Sequence, residues 1–436
     1  MRPLPLPNSK QPRRVLQLVH GFPPRENAGT EQYAARLASS LQARGIVAHT
    51  VAATRWPGRR MYDVVEESAV TRVVNNAPYR GVRSAECDGN VRTVLNDVIA
   101  RFSPDIVHVQ HAMFLDLKFS TTAPIVWTLH DAWGWCAAGG QLVRRDTEEP
   151  GACDGPSDAC AGCASRWVKD GPVGDALIGL AGSVSKTIPP SILQGAWQRL
   201  PTALREAVLA PRSPISNVQI ARRRDAIRAF AGRCALMLAP SRYYADLAER
   251  NGLKRPIVLP HGVQPATGTS PTGQEAGPFV FLGTIAPHKG PELVYQAHRL
   301  AGMSRRLEIW GPPGPDPGYV ATVKATGCWH GPCDDVHAVF RRARALVLGS
   351  TWPENAPLVV LEARAAGVPV IAPRIGGLPE MVHEDEDGWL YEPGDAGDLA
   401  RCLIAADTGP LPCVSQPPTL DDHVDRLLGL YTNLRR

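Results

Sequence analysis

What most constrains the fold of this chain is an alternation that repeats along most of its length. Short apolar runs of strand length are each followed by a segment with helical periodicity. Val15–Val19, Ile106–Gln110, Ile125–Leu129, Ala235–Ala239, Phe279–Leu282, Leu307–Trp310, Ala345–Leu348 and Val368–Ile371 read as strands. After the first of them, a Gly-bearing loop leads to Glu31–Ala43, whose apolar residues recur at helical spacing, and Gly45 supplies the stop. Strands that alternate with helices build parallel sheets covered by helices on both faces, so the expectation is an α/β, doubly wound architecture. The apolar runs are far too short to span a bilayer.

A chain of 436 residues exceeds what one such core usually holds, which points to two domains or more. The alternation lapses in the Gly/Ser/Thr/Pro tract after Val263 and restarts at Phe279, so that tract reads as a linker. We expect a first domain over 1–258, a second over 259–417, and a terminal segment over 418–436. The amphipathic helix His423–Leu434 in that segment must dock somewhere. The pattern also breaks between about 134 and 216, a stretch too long for a connection, which reads as an insertion or lid. Met1–Arg14 is Pro-rich and basic with no apolar core, so the expectation is no secretory leader and a cytoplasmic location.

The net charge of +5 hides an asymmetry, because the chain through Arg255 carries 33 Lys and Arg against 22 Asp and Glu. Much of this excess falls on Arg222, Arg223, Arg224, Arg228 and Arg233, in one helical segment. A solvated helix face accounts for such a run; attraction to anionic lipid headgroups or to an acidic acceptor also accounts for it. Phe230 is the one aromatic residue among these arginines, too little interleaving for nucleic acid to be the expected partner.

Chemistry concentrates where strands end. Glu354-Asn-Ala-Pro-Leu-Val-Val-Leu-Glu362 follows the strand at Ala345–Leu348 and opens a short helix, with Pro357 expected at its first position. The amides of Leu358 and Val359 are then donors at a positive helix end, suited to an anion, while Glu362 can accept from ribose hydroxyls. Gly283-Thr284-Ile-Ala-Pro-His-Lys289-Gly290 turns off the strand Phe279–Leu282 and brings a cation within reach of a diphosphate. Ala28-Gly29-Thr30 makes a similar turn in the first domain. None of these matches the P-loop or dinucleotide fingerprints, which disfavours kinase and NAD-dependent readings. His130, followed by Asp131, ends the strand Ile125–Leu129 and would face a cleft, since ligands of open α/β sheets bind beyond the carboxyl ends of strands. Each of these residues taken alone also reads as an ordinary surface or structural side chain.

Four of the ten cysteines cluster as Cys136, Cys153, Cys160 and Cys163, the last two as Cys-x2-Cys. In a Gly- and Asp-rich insertion with little apolar core, they suggest a structural zinc site, with reduced free thiols as the alternative.

Several motifs occur in order. They are Phe22-Pro-Pro…Gly29-Thr-Glu31, Pro104-Asp-Ile-Val-His-Val, Thr128-Leu-His130-Asp131, Ala239-Pro-Ser241 and Pro260-His-Gly262-Val263. Gly283…His288-Lys289-Gly290, Ser350-Thr-Trp-Pro-Glu354…Glu362-Ala, and Gly376-Gly377-Leu-Pro-Glu380…Asp387-Gly388…Gly394-Asp395 complete the series. This series resembles the retaining glycosyltransferases of family four, over most of the chain apart from the 134–216 insertion and residues 264–278.

The resemblance implies the GT-B fold, two Rossmann-like domains facing a cleft, with the last helix crossing back onto the first domain. It implies transfer of a sugar from a nucleotide-diphosphate donor to a hydroxyl acceptor, lipid-linked or oligosaccharide, in polysaccharide or glycolipid synthesis. A peripheral position at the inner face of a membrane would fit. By the same resemblance, Glu362 holds the ribose, Glu354 contacts the donor sugar, Lys289 binds the diphosphate, and His130 lies near sugar and acceptor. Gly29 approaches phosphate or acceptor, and no catalytic metal is expected. Two departures stand out: Thr284 occupies a position where many members carry Arg, and Ala28 one where a Gly pair is common. A sugar-nucleotide epimerase of the same fold and a catalytically silent sugar-nucleotide-binding protein remain as alternatives.

Overall fold

The computed structural model describes residues 11–56, 59–75, 88–144, 151–153, 155–167, 199, 215–265, 276–314, 316–384 and 386–435. Most of the expected insertion and of the 264–278 linker lies outside the described residues. The chain divides into two compact units, one of Met1–Ala239, Ala245–Val258 and Val424–Arg436, the other of Pro240–Tyr244 and Leu259–His423.

The first unit is built on an eight-stranded sheet. Its strands are β1 (Arg14–Val19), β2 (Val47–Thr54), β3 (Val64–Glu66), β4 (Val70–Val74), β5 (Ile106–Val109), β6 (Ile125–Thr128), β9 (Cys234–Ala239) and β10 (Ile257–Val258). A separate two-stranded ribbon is formed by β7 (Val143–Arg144) and β8 (Gly151–Ala152). The order is β10-β9-β6-β5-β1-β2-β4-β3, parallel throughout except for the β3–β4 pair. The chain runs outward from β1 through β2 to β4, then returns to pair β5 against the other side of β1. That reversal opens a crevice at the carboxyl ends of β1 and β5. The strands read as near-continuous apolar runs because both faces are covered; Val15, Leu16, Leu18 and Val19 are all fully buried.

The second unit repeats the plan with five parallel strands, β11 (Phe279–Leu282), β12 (Leu307–Trp310), β13 (Ala345–Val347), β14 (Val370–Pro373) and β15 (Gly388–Tyr391), in the order β12-β11-β13-β14-β15. Its reversal lies between β11 and β13, whose carboxyl ends carry the Lys289 and Glu354 loops. Phe279, Phe281, Ile309, Val347 and Ile371 pack one core layer, and Val280, Leu346, Val360 and Val370 another.

Several element ends differ from expectation by one to three residues, the terminal helix among them. The first helix begins at Gly29 rather than Glu31. The strand read at Val368–Ile371 starts at Val370, because the Val368 amide closes the preceding helix on Ala363 O at 2.9 Å, past a left-handed Gly367. The terminal helix spans Leu420–Leu434, and its Tyr431 hydroxyl hydrogen-bonds His108 Nδ1 at 2.5 Å within the first unit.

Candidate functional site

In the second unit, two loops meet backbone to backbone. Gly290 is left-handed (φ +63°), and a Cβ there would lie 1.8 Å from Gly349 O, so only glycine permits the approach. The Thr351 amide also donates to His288 O at 3.0 Å. This contact brings Lys289, from the loop after β11, to Glu354, from the loop after β13. Glu354 Oε1 accepts from Lys289 Nζ (2.6 Å), Trp352 Nε1 (2.8 Å) and Ser350 Oγ (2.9 Å). Lys289 Nζ lies 4.9 Å from the centre of the Trp352 ring, a cation–π distance, and the His288 ring meets the same indole edge-on at 5.3 Å. Glu354 is 5% exposed, so its carboxylate is held by charge-assisted bonds in a largely dry setting.

The Glu354 loop is clamped from outside as well. Left-handed Gly376 lies against Glu354 O, where a Cβ would approach to 2.2 Å, and the Gly377 amide donates to the same oxygen at 2.7 Å. Glu380, from the same motif, accepts from the amides of Arg242 (2.8 Å) and Tyr243 (2.7 Å), while Ser241 Oγ donates to Asn355 Oδ1 at 2.6 Å. The Gly-Gly-Leu-Pro-Glu sequence therefore fixes the loop that presents Glu354.

The helix that follows runs Leu358–Ala365, and Pro357 is its N-cap with ψ 124°, not its first helical residue as expected. Its fixed φ suits the cap, while the extended ψ keeps it outside the helix. The consequence for anion binding is small: no side chain caps this end, and Leu358 and Val359 remain first-turn residues whose amides have no intrahelical acceptor. Glu362 sits half-buried one turn further on. Gly283 directly follows β11, and half-buried Thr284 presents a hydroxyl where many members of the resembled family carry Arg.

In the first unit, polar side chains gather at the ends of adjacent strands β1, β5 and β6. His130 Nε2 bonds Gln110 Oε1 at 3.1 Å, and its ring meets Tyr33 edge-on at 4.9 Å. Gln110 Nε2 donates to Gln17 Oε1 at 2.8 Å, and Gln17 Nε2 donates to Ala34 O at 3.0 Å. Beside this chain, Asp131 bonds His111 Nε2 at 3.1 Å and Glu31 bonds His20 Nε2 at 3.2 Å, with the two histidine rings 4.1 Å apart. Burial, reinforced by His111, holds His20 well below the usual histidine range and outweighs Asp131. For Asp131, burial pushes upward, but His111 and the Trp133 amide together lower its carboxyl. Gly29 opens the first helix with nothing within 4 Å of where a Cβ would stand.

Gln17, Gln110, His20 and His111 were not singled out from the sequence. Their one signal there is a polar residue inside, or directly after, an apolar strand.

The zinc expectation at Cys136, Cys153, Cys160 and Cys163 is corrected. The four thiols border one cavity of about 30 Å³, but among the described residues no group of three or more His, Cys, Asp or Glu side chains is arranged to hold a metal. Main-chain groups engage the sulfurs instead: Cys153 donates to Gly155 O (3.3 Å), Cys163 to Val143 O (3.6 Å), and Cys160 accepts from the Ser157 amide (3.2 Å). Burial pushes the Cys136 thiol up.

The basic helix, Asn217–Arg233, divides by role. Arg223 is buried, stacks on Trp133 and donates to its carbonyl; Arg233 donates to Leu117 O and Phe119 O. Arg224 and Arg228 instead line a cavity of about 270 Å³ with Arg250.

Two parallel α/β units, each with a polar cluster at its strand-order reversal, define the two-domain GT-B class of sugar-transferring folds. Family models match in both units: Glycosyltransferase Family 4 over residues 27–149 and Glycosyl transferases group 1 over 272–406. The chain belongs to glycosyltransferase family 4. It is similar to a D-inositol 3-phosphate glycosyltransferase of Corynebacterium efficiens, 31% identical over 139 residues, covering 28% of this chain and 32% of that one. The chain thus spans about a third of the length of the curated relatives it matches. Among solved structures it shares its fold with HepE of Anabaena in complex with UDP and glucose (TM-score 0.53, 14% identity, 97% of each chain). It also shares it with sucrose-phosphate synthase of Thermosynechococcus elongatus (TM-score 0.56, 16% identity, 97% of this chain and 94% of that one).

Proposed function

We propose that this protein is a retaining glycosyltransferase that moves a hexosyl group from a nucleotide-diphosphate sugar to a hydroxyl acceptor. The observation that carries the reading is the Lys289–Glu354 cluster at the β11/β13 reversal, beside the uncapped start of the Leu358–Ala365 helix. In this reading Glu362 accepts from the ribose hydroxyls and Glu354 from a hydroxyl of the donor sugar. Gly283 and Thr284 border the diphosphate. As the anomeric C–O bond breaks, charge grows on the departing diphosphate, where Lys289 and the amides of Leu358 and Val359 meet it with donors already in position. The acceptor oxygen bonds the anomeric carbon on the face the diphosphate leaves, and its proton passes to a diphosphate oxygen, so no protein base is needed for that transfer. His130 orients the sugar or the acceptor hydroxyl, and Gly29 leaves room for a phosphate or the acceptor.

The bound UDP and glucose of HepE make a UDP-sugar the first donor to test. A lipid-linked or oligosaccharide acceptor, in cell-envelope polysaccharide or glycolipid synthesis, fits the basic character of the first unit. The cavity lined by Arg224, Arg228 and Arg250 supports contact with an anionic membrane surface, as a peripheral protein at its inner face. Among the described residues no helix is long and apolar enough to cross a membrane.

Thermal stabilisation by UDP-, GDP- and ADP-sugars tests the donor, since a ligand that binds the folded state raises its apparent stability. One class should shift the transition, and E362A should abolish the shift. No shift with any nucleotide sugar, or an unchanged shift in E362A, refutes the assignment.

A further inference from the structure

His130 ends a chain of buried amides whose directions are all determined by its far end. Ala34 O is a carbonyl and can only accept, so the Gln17 group bonded to it is the amide nitrogen. Gln17 Oε1 is then the acceptor for Gln110, which must present its own nitrogen there. The same Gln110 nitrogen points its second hydrogen at His108 Nδ1, 3.2 Å away. His108 can accommodate this orientation: Thr128 Oγ1, 2.7 Å from Nε2, can accept from it, and Nδ1 can then accept from Gln110 and the Tyr431 hydroxyl. Gln110 therefore has only its oxygen left for His130, and the imidazole nitrogen facing it, Nε2, must carry the proton. Gln17 and Gln110 are both 0% exposed, so water offers no competing partner that would let either amide turn over.

We propose that Gln17 and Gln110 are positioning residues for His130, holding its neutral ring in the Nε2–H tautomer so that Nδ1 is the acceptor nitrogen. This rests on the reading of His130 as a site residue. A ring fixed in this way accepts a hydrogen bond from a sugar or acceptor hydroxyl through Nδ1. The opposite tautomer would turn a donor towards the same hydroxyl. Tyr33, packed edge-on against the ring, limits rotation about the axis that the Gln110 bond leaves free. The relay joins β1, β5, the end of β6 and the first helix, so His130 geometry is tied to the sheet rather than to its own loop.

The test uses the full-length protein labelled with 15N-histidine, with His130 assigned by its absence from the spectrum of H130N. The expected wild-type result is a proton on Nε2 that exchanges slowly with water, and an unprotonated Nδ1. In Q110M, nearly the same size but without an acceptor, that protection should be lost. Turnover should fall about tenfold with the donor KM within about twofold, the signature of a lost orientation rather than lost binding. Q17M, one bond further away, should do the same more weakly. A proton on Nδ1 in the wild type, or a Q110M that keeps both the protected proton and full turnover, overturns the relay. The wild-type spectrum decides this even if the variants fold poorly. H130N with wild-type turnover overturns the site reading itself while leaving the tautomer result standing, so the two failures are distinguishable.

Discussion

Replacing Glu354 by Ala removes one oxygen on which three donors converge, and the structure says how much each should miss it. Ser350 is 2% exposed and Glu354 5%, so the Ser350 hydroxyl cannot turn to bulk water. The Trp352 indole N–H and Lys289 ammonium lose partners at 2.8 and 2.6 Å, but both sit on half-buried residues that water reaches in part. Taking about 1–1.5 kcal/mol for each of the two neutral donors and less for the lysine gives a loss of about 2–4 kcal/mol in E354A. For a unit of this size that corresponds to roughly 5–10 °C in its melting transition. E354Q keeps an acceptor at the Oε1 position and should lose less than about 1 kcal/mol, while still abolishing the charge that the donor sugar is proposed to meet. Calorimetry on both variants, together with nucleotide-sugar binding, separates the roles. E354A should be unstable and inactive, E354Q nearly as stable as wild type and inactive. Equal stability of E354A and wild type, or equal destabilisation of both variants, would refute the convergence of donors on this carboxylate.

Asp387 provides a pH prediction. Burial pushes its carboxyl upward, but bonds from Ser415 and His383 and the Arg364 guanidinium outweigh that and hold it below the ordinary carboxylate range. A lowered native value means the unfolded chain binds the proton more tightly, so the stabilisation is complete above about pH 4 and lost as pH falls through the native value. The wild-type melting temperature should therefore drop steeply below about pH 4. D387A should be less stable at neutral pH by roughly 3–5 kcal/mol, because Arg364 is left buried, and should lack this component of the acid drop. For the basic cavity, R224Q/R228Q/R250Q should weaken sedimentation with vesicles of anionic lipid, and raised salt should weaken the wild type in the same way, with no effect on neutral vesicles. Unchanged binding to anionic vesicles would remove the cavity from any membrane contact.

Much of the candidate site was legible in the sequence because its chemistry is local. A strand, a glycine turn and a residue placed a few positions later determine where Lys289, Glu354 and His130 emerge, and strand ends are where open parallel sheets bind ligands. Glycine spacing carried information for the same reason: Gly290 and Gly376 mark backbone approaches that no side chain allows. The Pro357 helix was misjudged by one residue, since φ alone suits proline to both the cap and the first turn, and only ψ distinguishes them.

Partnerships across the chain were not legible. Nothing in the run Arg222–Arg224 shows that Arg223 turns inward onto Trp133 while its neighbour Arg224 lines a cavity; helix phase against a distant indole decides it. Clustered cysteines in sequence suggested a metal, but the fold gives their sulfurs main-chain partners. The relay behind His130 joins Gln17 to Gln110, 93 residues apart, through strand pairing that brings β1 beside β5. The sequence by itself determined the alternation of strands and helices, the two-unit plan and the residues at the strand ends, because these follow from periodicity and turn chemistry within a few residues. Only the tertiary structure decided which polar groups meet and which nitrogen of a histidine holds its proton, because those depend on burial and on partners that the chain brings together from far away.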